Sequence, residues 1–398
     1  MKFDQSMIVT GVLIRVFNTK VTRICRSFCS IQKSSEMINA QNTYPISGAR
    51  TVFNGLNSET MFVAQTAPLP ELALGEILVK VRLASICMSD VHTITGQRIE
   101  PTPSVLGHEA VVEVVSHRRP ESDLAVGDRL TFSIADSCGQ CEFCLAGFNQ
   151  KCVQLFKYGH AKLSDGSGYN GCYATHIIIR RGTHVVKVPQ TISDRCAAPI
   201  NCALATTMCA MEYVPKIKNG RAFVQGDGML GLYTCAALHE YGYEIVYCSG
   251  TRLQRSPFID RFGAIPLYND EILTEETNKI DVVVEVCGVP NVVNDGIRML
   301  KPGGLYLFVG MVHPNSKLDI TGEQIIRKCL TIKGIHNYAS RHLDQAVQFL
   351  EKTINKYPYE ELMGPTYNLS ALSDAMKIAI EKKHGRILVS PNTSTESN

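Results

Sequence analysis

From Thr51 onward the apolar positions come in short runs cut by glycine and proline, as in Glu76-Ile-Leu-Val-Lys-Val-Arg82 and Ala110-Val-Val-Glu-Val-Val115. Runs of that length between turn-forming residues predict strands, and their density predicts a mostly β domain. After Gly220 the rhythm changes. Phe223-Val-Gln225, Glu244-Ile-Val-Tyr247, Asp281-Val-Val-Val-Glu285 and Leu305-Tyr-Leu-Phe-Val309 are apolar runs separated by helix-length segments. Strands apolar on both faces belong in a parallel sheet covered on both sides, so this stretch predicts a doubly wound, Rossmann-type domain. Beyond His336, helical spacing predicts an amphipathic helix over Leu343–Thr353, and a last α-then-β stretch ends in Arg386-Ile-Leu-Val389. The fold class is α/β, a β-rich domain joined to a parallel-sheet domain. Substrate is expected in the cleft between them, near the carboxyl ends of the parallel strands.

Both ends of the chain fall outside that pattern. Residues 1–44 carry Lys2, Arg15, Lys20, Arg23, Arg26 and Lys33 against only Asp4 and Glu36. That composition, with its serines and threonines, is like that of a mitochondrial transit peptide or of a disordered leader. The first reading places the protein in mitochondria, the second in the cytoplasm. Residues 393–398, Ser- and Thr-rich, read as a disordered tail.

Length, charge and cysteine content narrow the class. At 398 residues the chain exceeds one compact core, which fits two domains. Its 40 Lys and Arg against 37 Asp and Glu, with no long run of one sign, exclude a phosphate-backbone partner. The longest apolar candidate, Met7–Phe17, is short and contains Arg15, so no membrane span is expected. Fifteen cysteines, an odd number in a chain this long, argue for reduced thiols, several on metal, over a secreted disulfide framework.

Cys138-x2-Cys141-x2-Cys144-x7-Cys152 places four thiolates in one loop, the donor set of a closed structural zinc site. Cys87, His108 and Cys202 are further apart in sequence and are ordinary one by one. Together they make a Cys-His-Cys set, which leaves a fourth position open, as catalytic zinc does. Gly226-Asp-Gly228-Met-Leu-Gly231 lies between the strand Arg221–Gln225 and the helix expected over Met229–Tyr241, where a pyrophosphate can approach bare backbone. The second strand is followed by Ser249-Gly250-Thr251-Arg252, with Arg255 close by and no carboxylate. A small residue there makes room for a 2′-phosphate that Thr251 and Arg252 bind, so NADP is expected, with NAD as the alternative.

Cys87-Met-Ser89-Asp90-Val-His92, then Gly107-His108-Glu109, then the four-cysteine loop, resembles the zinc-containing medium-chain alcohol dehydrogenases over about residues 50 to 392. The resemblance implies a GroES-like zinc domain over 45–203 and 337–392, with a Rossmann domain over 204–336 between them. It also implies two zinc ions per chain, Cys87, His108 and Cys202 on the catalytic one, Glu109 behind it and Asp90 orienting His108. Ser89 and His92 map onto the family's proton relay, and Arg386 onto a cofactor phosphate contact. Met88 stands where alcohol-oxidising relatives often carry Arg or His against the pyrophosphate. Relatives are dimers or tetramers, so a homo-oligomer is expected, with Leu305–Val309 as an edge strand able to pair across a two-fold axis. Pro199–Thr206 and Leu330–Leu350 resemble a narrower branch, the phosphonate-metabolism-associated zinc-binding alcohol dehydrogenases. That likeness implies a small polar alcohol or aldehyde, a phosphonate-bearing one among the options, with His336 and Asn337 near the cofactor and the cleft. A polyol or sugar dehydrogenase and a non-catalytic dinucleotide-binding zinc protein are the competing readings. The nine cysteines beyond the six metal ligands, among them Cys209, Cys235 and Cys287, are read as core packing.

Overall fold

The computed structural model describes residues 45–391 except 121, 252, 269–273 and 315. The leader, the tail and Arg252 lie outside the described residues. Two larger sheets organise the rest. The first has seven strands: Met363–Asn368, Arg386–Ser390, Ile77–Ser85, Glu109–His117, Arg129–Phe132 and Val185–Lys187 in that order, with His176–Ile179 also pairing Ile77–Ser85. Its central strand is buried on both faces, with only Lys80 exposed. The strand after the catalytic-type residues begins at Glu109, in register with Ser85, and Ser85 is in turn opposite Leu388. Three strand ends therefore meet at one point, and the metal-ligand candidates grow from it.

The second sheet is parallel, six strands in the order Ile265–Leu267, Ile245–Ser249, Arg221–Gln225, Ile280–Glu285, Leu300–Phe308 and Thr331–Gly334. Every residue of Ile280–Glu285 is buried, as a strand covered by helices on both faces requires. The order reverses between the strands starting at Arg221 and Ile280, and a crevice opens at such a switch point. Leu305–Val309 was expected at the edge, but the strand Leu300–Phe308 lies inside the sheet. The edge on that side is Thr331–Gly334, a short, half-exposed Thr-Ile-Lys-Gly run that has no apolar signature.

The chain after residue 337 divides. Helix Ser340–Thr353 packs on helix Ala205–Met211, while Met363–Asn368 and Arg386–Ser390 join the seven-stranded sheet. One apolar cluster runs from Leu83 and Val111 through Ile200 and Met208 to Val224 and Leu232, so the two sheets share a core. No helix among the described residues is long and apolar enough to cross a membrane.

Candidate metal and cofactor site

Cys87 is the extended N-cap residue of helix Met88–Ile94, and His108 immediately precedes the strand Glu109–His117. Cys202 sits in a single π-type turn, Ile200–Leu204, that leads into helix Ala205–Met211. Such turns insert a residue and swing a side chain off the helical path, often at functional sites. These elements bring ligand atoms of Cys87, His108, Glu109 and Cys202 within 4.8 Å of one another, with the two sulfurs 3.9 Å apart. Two sulfurs bound at ~2.3 Å to one tetrahedral zinc lie roughly 3.8 Å apart, so the pair fits the ion. The hydrogen bond from Cys202, helped by Arg386 and His108, holds the Cys87 thiol well below its usual range, while Cys202 is pushed up.

The ligands are held mainly through their backbone. Asp90 Oδ2 accepts the Cys87 N–H at 3.1 Å and the Tyr173 hydroxyl at 3.0 Å, and Oδ1 accepts the Gly107 N–H at 3.3 Å. His108 Nδ1 is 3.7 Å from Asp90 Oδ1, beyond a direct hydrogen bond. Gly107 has φ +88°, and a Cβ there would sit 2.9 Å from the Tyr173 ring, so only glycine lets this corner close. Asn201 Nδ2 donates to the carbonyls of His108 (2.9 Å) and Phe132 (3.0 Å), which ties the π turn to the sheet. Sequence reading passed over Asn201 and Tyr173. Adjacency to Cys202 was the one available signal for Asn201, and Tyr173 had none.

Arg386 departs from its expected phosphate contact. Its Nε and Nη2 donate to the two oxygens of fully buried Glu109 at 2.7 and 2.8 Å, Nη1 donates to the Gly385 carbonyl at 3.0 Å, and Nη2 lies 3.8 Å from Cys87 Sγ. Ser85 Oγ adds a 2.5 Å hydrogen bond to Glu109. A carboxylate fully removed from water, beside two thiols, claims the nearest guanidinium.

In the four-cysteine loop, Cys138, Cys141, Cys144 and Cys152 place their sulfurs within 4.8 Å of one another, Cys138 to Cys152 at 3.4 Å and Cys141 to Cys152 at 4.0 Å. Cys152 Sγ accepts backbone N–H groups from Cys138 and Gln154, each at 3.3 Å. Backbone N–H groups of Val153 and Cys144 hold Cys141 down to about 6, the thiolate a metal needs. All four positions are filled by protein, so this site has no place for a substrate.

One cleft of about 1180 Å³ runs from Cys87, His108 and Cys202 to Gly226, Gly228 and Thr251. Gly226 has φ +132°, and a Cβ on Gly231 would lie 1.8 Å from the Gly226 carbonyl, so neither position admits a side chain. A Cβ on Gly228 would meet nothing within 4 Å, and Gly228 caps the helix Met229–Glu240. The room there and the free helix end fit a pyrophosphate. Buried Glu285 accepts the N–H groups of Gly288 (2.5 Å) and Gly310 (3.2 Å) and so fixes two loops of the cleft wall.

At the adenosine end the structure adds a carboxylate that strand-end reading missed. Asp227 reaches over Gly250, where a Cβ would lie 2.1 Å from Asp227 Oδ2, and that oxygen is buried without a hydrogen-bond partner among the described residues. Arg255 donates to the Asp227 carbonyl at 2.7 Å, with its guanidinium 4.0 Å from the carboxylate. Thr251 is exposed on the cleft wall. At the other end, Ser89 Oγ is buried and without a hydrogen-bond partner among the described residues. His92 Nδ1 lies 3.2 Å from Nε2 of His313, a neighbour that nothing in the sequence pointed to. Burial, then His313 and Lys382, lower the His92 pKa below the usual imidazole range.

His336 and Asn337 both line the cleft, as do Arg98, Lys157 and His160. Cys209 and Cys235 are buried in the core as expected, but Cys287 is exposed on the cleft wall, because it follows the carboxyl end of a strand and not its middle.

The chain matches the alcohol dehydrogenase GroES-like domain over residues 73–190 and the glucose dehydrogenase C-terminus over residues 201–388. The L-threonine 3-dehydrogenase of Pseudoalteromonas translucida is 29% identical over 287 residues, 68% of this chain and 79% of that one. That of Coxiella burnetii is 25% identical over 337 residues, 81% of this chain and 94% of that one. Among solved structures, an alcohol dehydrogenase of Thermotoga maritima superposes with a TM-score of 0.81 at 23% identity, covering 87% of this chain and 100% of that one. A zinc-binding dehydrogenase of Sinorhizobium meliloti bound to NADP gives 0.77 at 22% identity, covering 87% and 99%. With both halves matched in order and both cysteine sets in place, the chain belongs to the zinc-containing medium-chain dehydrogenases.

Proposed function

We propose that this protein is a zinc-dependent oxidoreductase that transfers hydride between a small polar alcohol, or its carbonyl partner, and NAD(P), with two zinc ions per chain. The observation that carries the reading is that Cys87, His108 and Cys202 converge at one end of a cleft whose other end is the glycine loop. Zinc held there supplies Lewis acidity toward an alcohol oxygen, and the nicotinamide supplies the hydride acceptor. The protein supplies placement and a proton path. Asp90 and Asn201 fix the ligand backbones, and the Glu109–Arg386 pair keeps the two sulfurs beside a balanced charge. Ser89, with its unpartnered hydroxyl in the cleft, takes the alcohol proton, and His92 with His313 passes it outward. Ser89→Ala should therefore lower kcat by about 10²–10³-fold with little change in cofactor affinity, measured by steady-state kinetics.

Screening alcohols and aldehydes with both cofactors, alongside zinc analysis, tests the reading. Turnover with about two zinc per chain supports it. One zinc and no turnover would favour a non-catalytic dinucleotide-binding scaffold instead. The threonine dehydrogenase relatives support a polar secondary alcohol as substrate. A homo-oligomer, dimer or tetramer, paired through the edge strand Thr331–Gly334 is the expected assembly.

For the cofactor, the absence of an acid at Ser249-Gly250-Thr251 and the presence of Arg255 in the wall support NADP. A second reading rests on Asp227, whose buried, unpartnered oxygen over Gly250 suits a ribose hydroxyl and repels a 2′-phosphate. Asp227→Asn should move the NADP-to-NAD preference toward NADP by about tenfold, the effect of one charged contact. An unchanged ratio would remove Asp227 from cofactor choice.

A further inference from the structure

Asp90 is a buried carboxylate that no Lys or Arg matches among the described residues. It is completely removed from water, and the one basic side chain within ion-pair distance, His108, has its Nδ1 3.7 Å from Oδ1. Glu109, just as buried, has Arg386. A carboxylate without a cation is held by the donors around it, and each donor removed is costly because water does not take its place. Asp90 has three, the N–H groups of Cys87 and Gly107 and the hydroxyl of Tyr173. The first two are backbone groups on the arms being positioned. Among the described residues Tyr173 is therefore the one side chain that donates to Asp90.

The backbone sets Tyr173 against the same corner. Cys172 N–H donates to the Gly107 carbonyl at 2.8 Å and Tyr173 N–H to the Leu106 carbonyl at 3.1 Å. A Cβ on Gly171 would lie 2.1 Å from the Val105 carbonyl, so residues 171–173 run directly along residues 105–107. The Tyr173 ring then covers Gly107, and its hydroxyl makes no other hydrogen bond among the described residues. One fully buried side chain thus reaches the Cys87 arm through Asp90 and the His108 arm through Gly107. It also decides which way the carboxylate faces. With the Cys87 N–H and the Tyr173 hydroxyl on Oδ2, Oδ1 is left toward Gly107 and toward His108 Nδ1, a buried atom without a hydrogen-bond partner among the described residues.

We infer that Tyr173 is a positioning residue for the metal centre of Cys87, His108 and Cys202: its hydroxyl fixes the Asp90 carboxylate and so sets how tightly that centre holds its ion. This rests on the reading of those three residues as a zinc site, and the experiment separates the two claims.

Zinc is titrated against a chelator of known affinity in wild type, His108→Ala and Tyr173→Phe. The zinc lost in His108→Ala identifies the centre, and equal zinc binding by wild type and His108→Ala sinks the metal-site reading together with this inference. Tyr173→Phe keeps the ring and removes only the hydroxyl. Zinc affinity at that centre should fall about 10–100-fold, the usual effect of losing a partner behind a ligand, with the four-cysteine site unchanged. Asp90→Asn should weaken the same centre, and the double variant no more than the worse single one, since the hydroxyl acts through the carboxylate. A ring that only fills the core would lower the unfolding temperature and leave zinc affinity alone. Unchanged affinity in folded Tyr173→Phe, or losses that add in full in the double variant, overturns the inference. A further measurement needs no loss of packing. With 3-fluorotyrosine at position 173 the ring and hydroxyl stay, and the fluorine resonance should move as the chelator empties that centre. A resonance that stays in place overturns the inference even where Tyr173→Phe does not fold.

Discussion

His108→Ala is expected to lose at least ~10³-fold of wild-type turnover while folding normally, because Lewis-acid activation contributes several kcal/mol and each 1.36 kcal/mol is tenfold. Cys87 and Cys202 remain as a two-sulfur pair, too few to hold a catalytic zinc ion. Metal analysis should fall from about two zinc per chain to about one, since the Cys138, Cys141, Cys144 and Cys152 site is separate and closed. Cys87→Ser should behave alike. The fold should survive, because the buried His108 ring faces the cleft wall and its backbone carbonyl keeps the Asn201 hydrogen bond whatever the side chain. Circular dichroism and thermal unfolding check that point. Retained turnover at one zinc per chain would sink the assignment of the catalytic metal.

Arg386→Met should cost about 3–5 kcal/mol of stability, because it strands a buried carboxylate. Glu109 is completely buried and Arg386 only 8% exposed, so water does not replace the lost partner. Removing both charges should cost less than removing one. Arg386→Met with Glu109→Gln should therefore recover part of the loss in denaturant unfolding, and the cycle gives the coupling directly. If Arg386→Met unfolds at wild-type denaturant concentration, the pair is not a structural anchor. Because Arg386 Nη2 also lies 3.8 Å from Cys87 Sγ, zinc affinity should drop in the single variant even where folding is restored by low temperature.

Features written in short-range spacing were legible in the sequence. The four cysteines lie within fifteen positions and the three glycines within six, so loop geometry alone brings each set together. The parallel strands were legible because burial on both faces leaves unbroken apolar runs, whereas Thr331–Gly334, half-exposed at the edge, leaves no such trace. What escaped depends on contacts between distant strands. Arg386 reads as a cofactor phosphate contact until the strand it opens is seen two places from Glu109 in the sheet. Asp227 hides between two glycines that draw attention to phosphate, while its side chain reaches the neighbouring strand end.

The two cysteine sets also differ in when they can form. In the closed loop, Cys138 and Cys152 are 14 positions apart, so a nascent chain can capture zinc there as soon as that loop is free. Cys87 and Cys202 are 115 positions apart, and the arginine that balances Glu109 follows it by 277. On the two-zinc reading, the first metal is thus a local event during synthesis and the second a global one. The working centre reaches its final charge balance only after the strand Arg386–Ser390 has docked, so loading of the second site reports that the whole chain has folded.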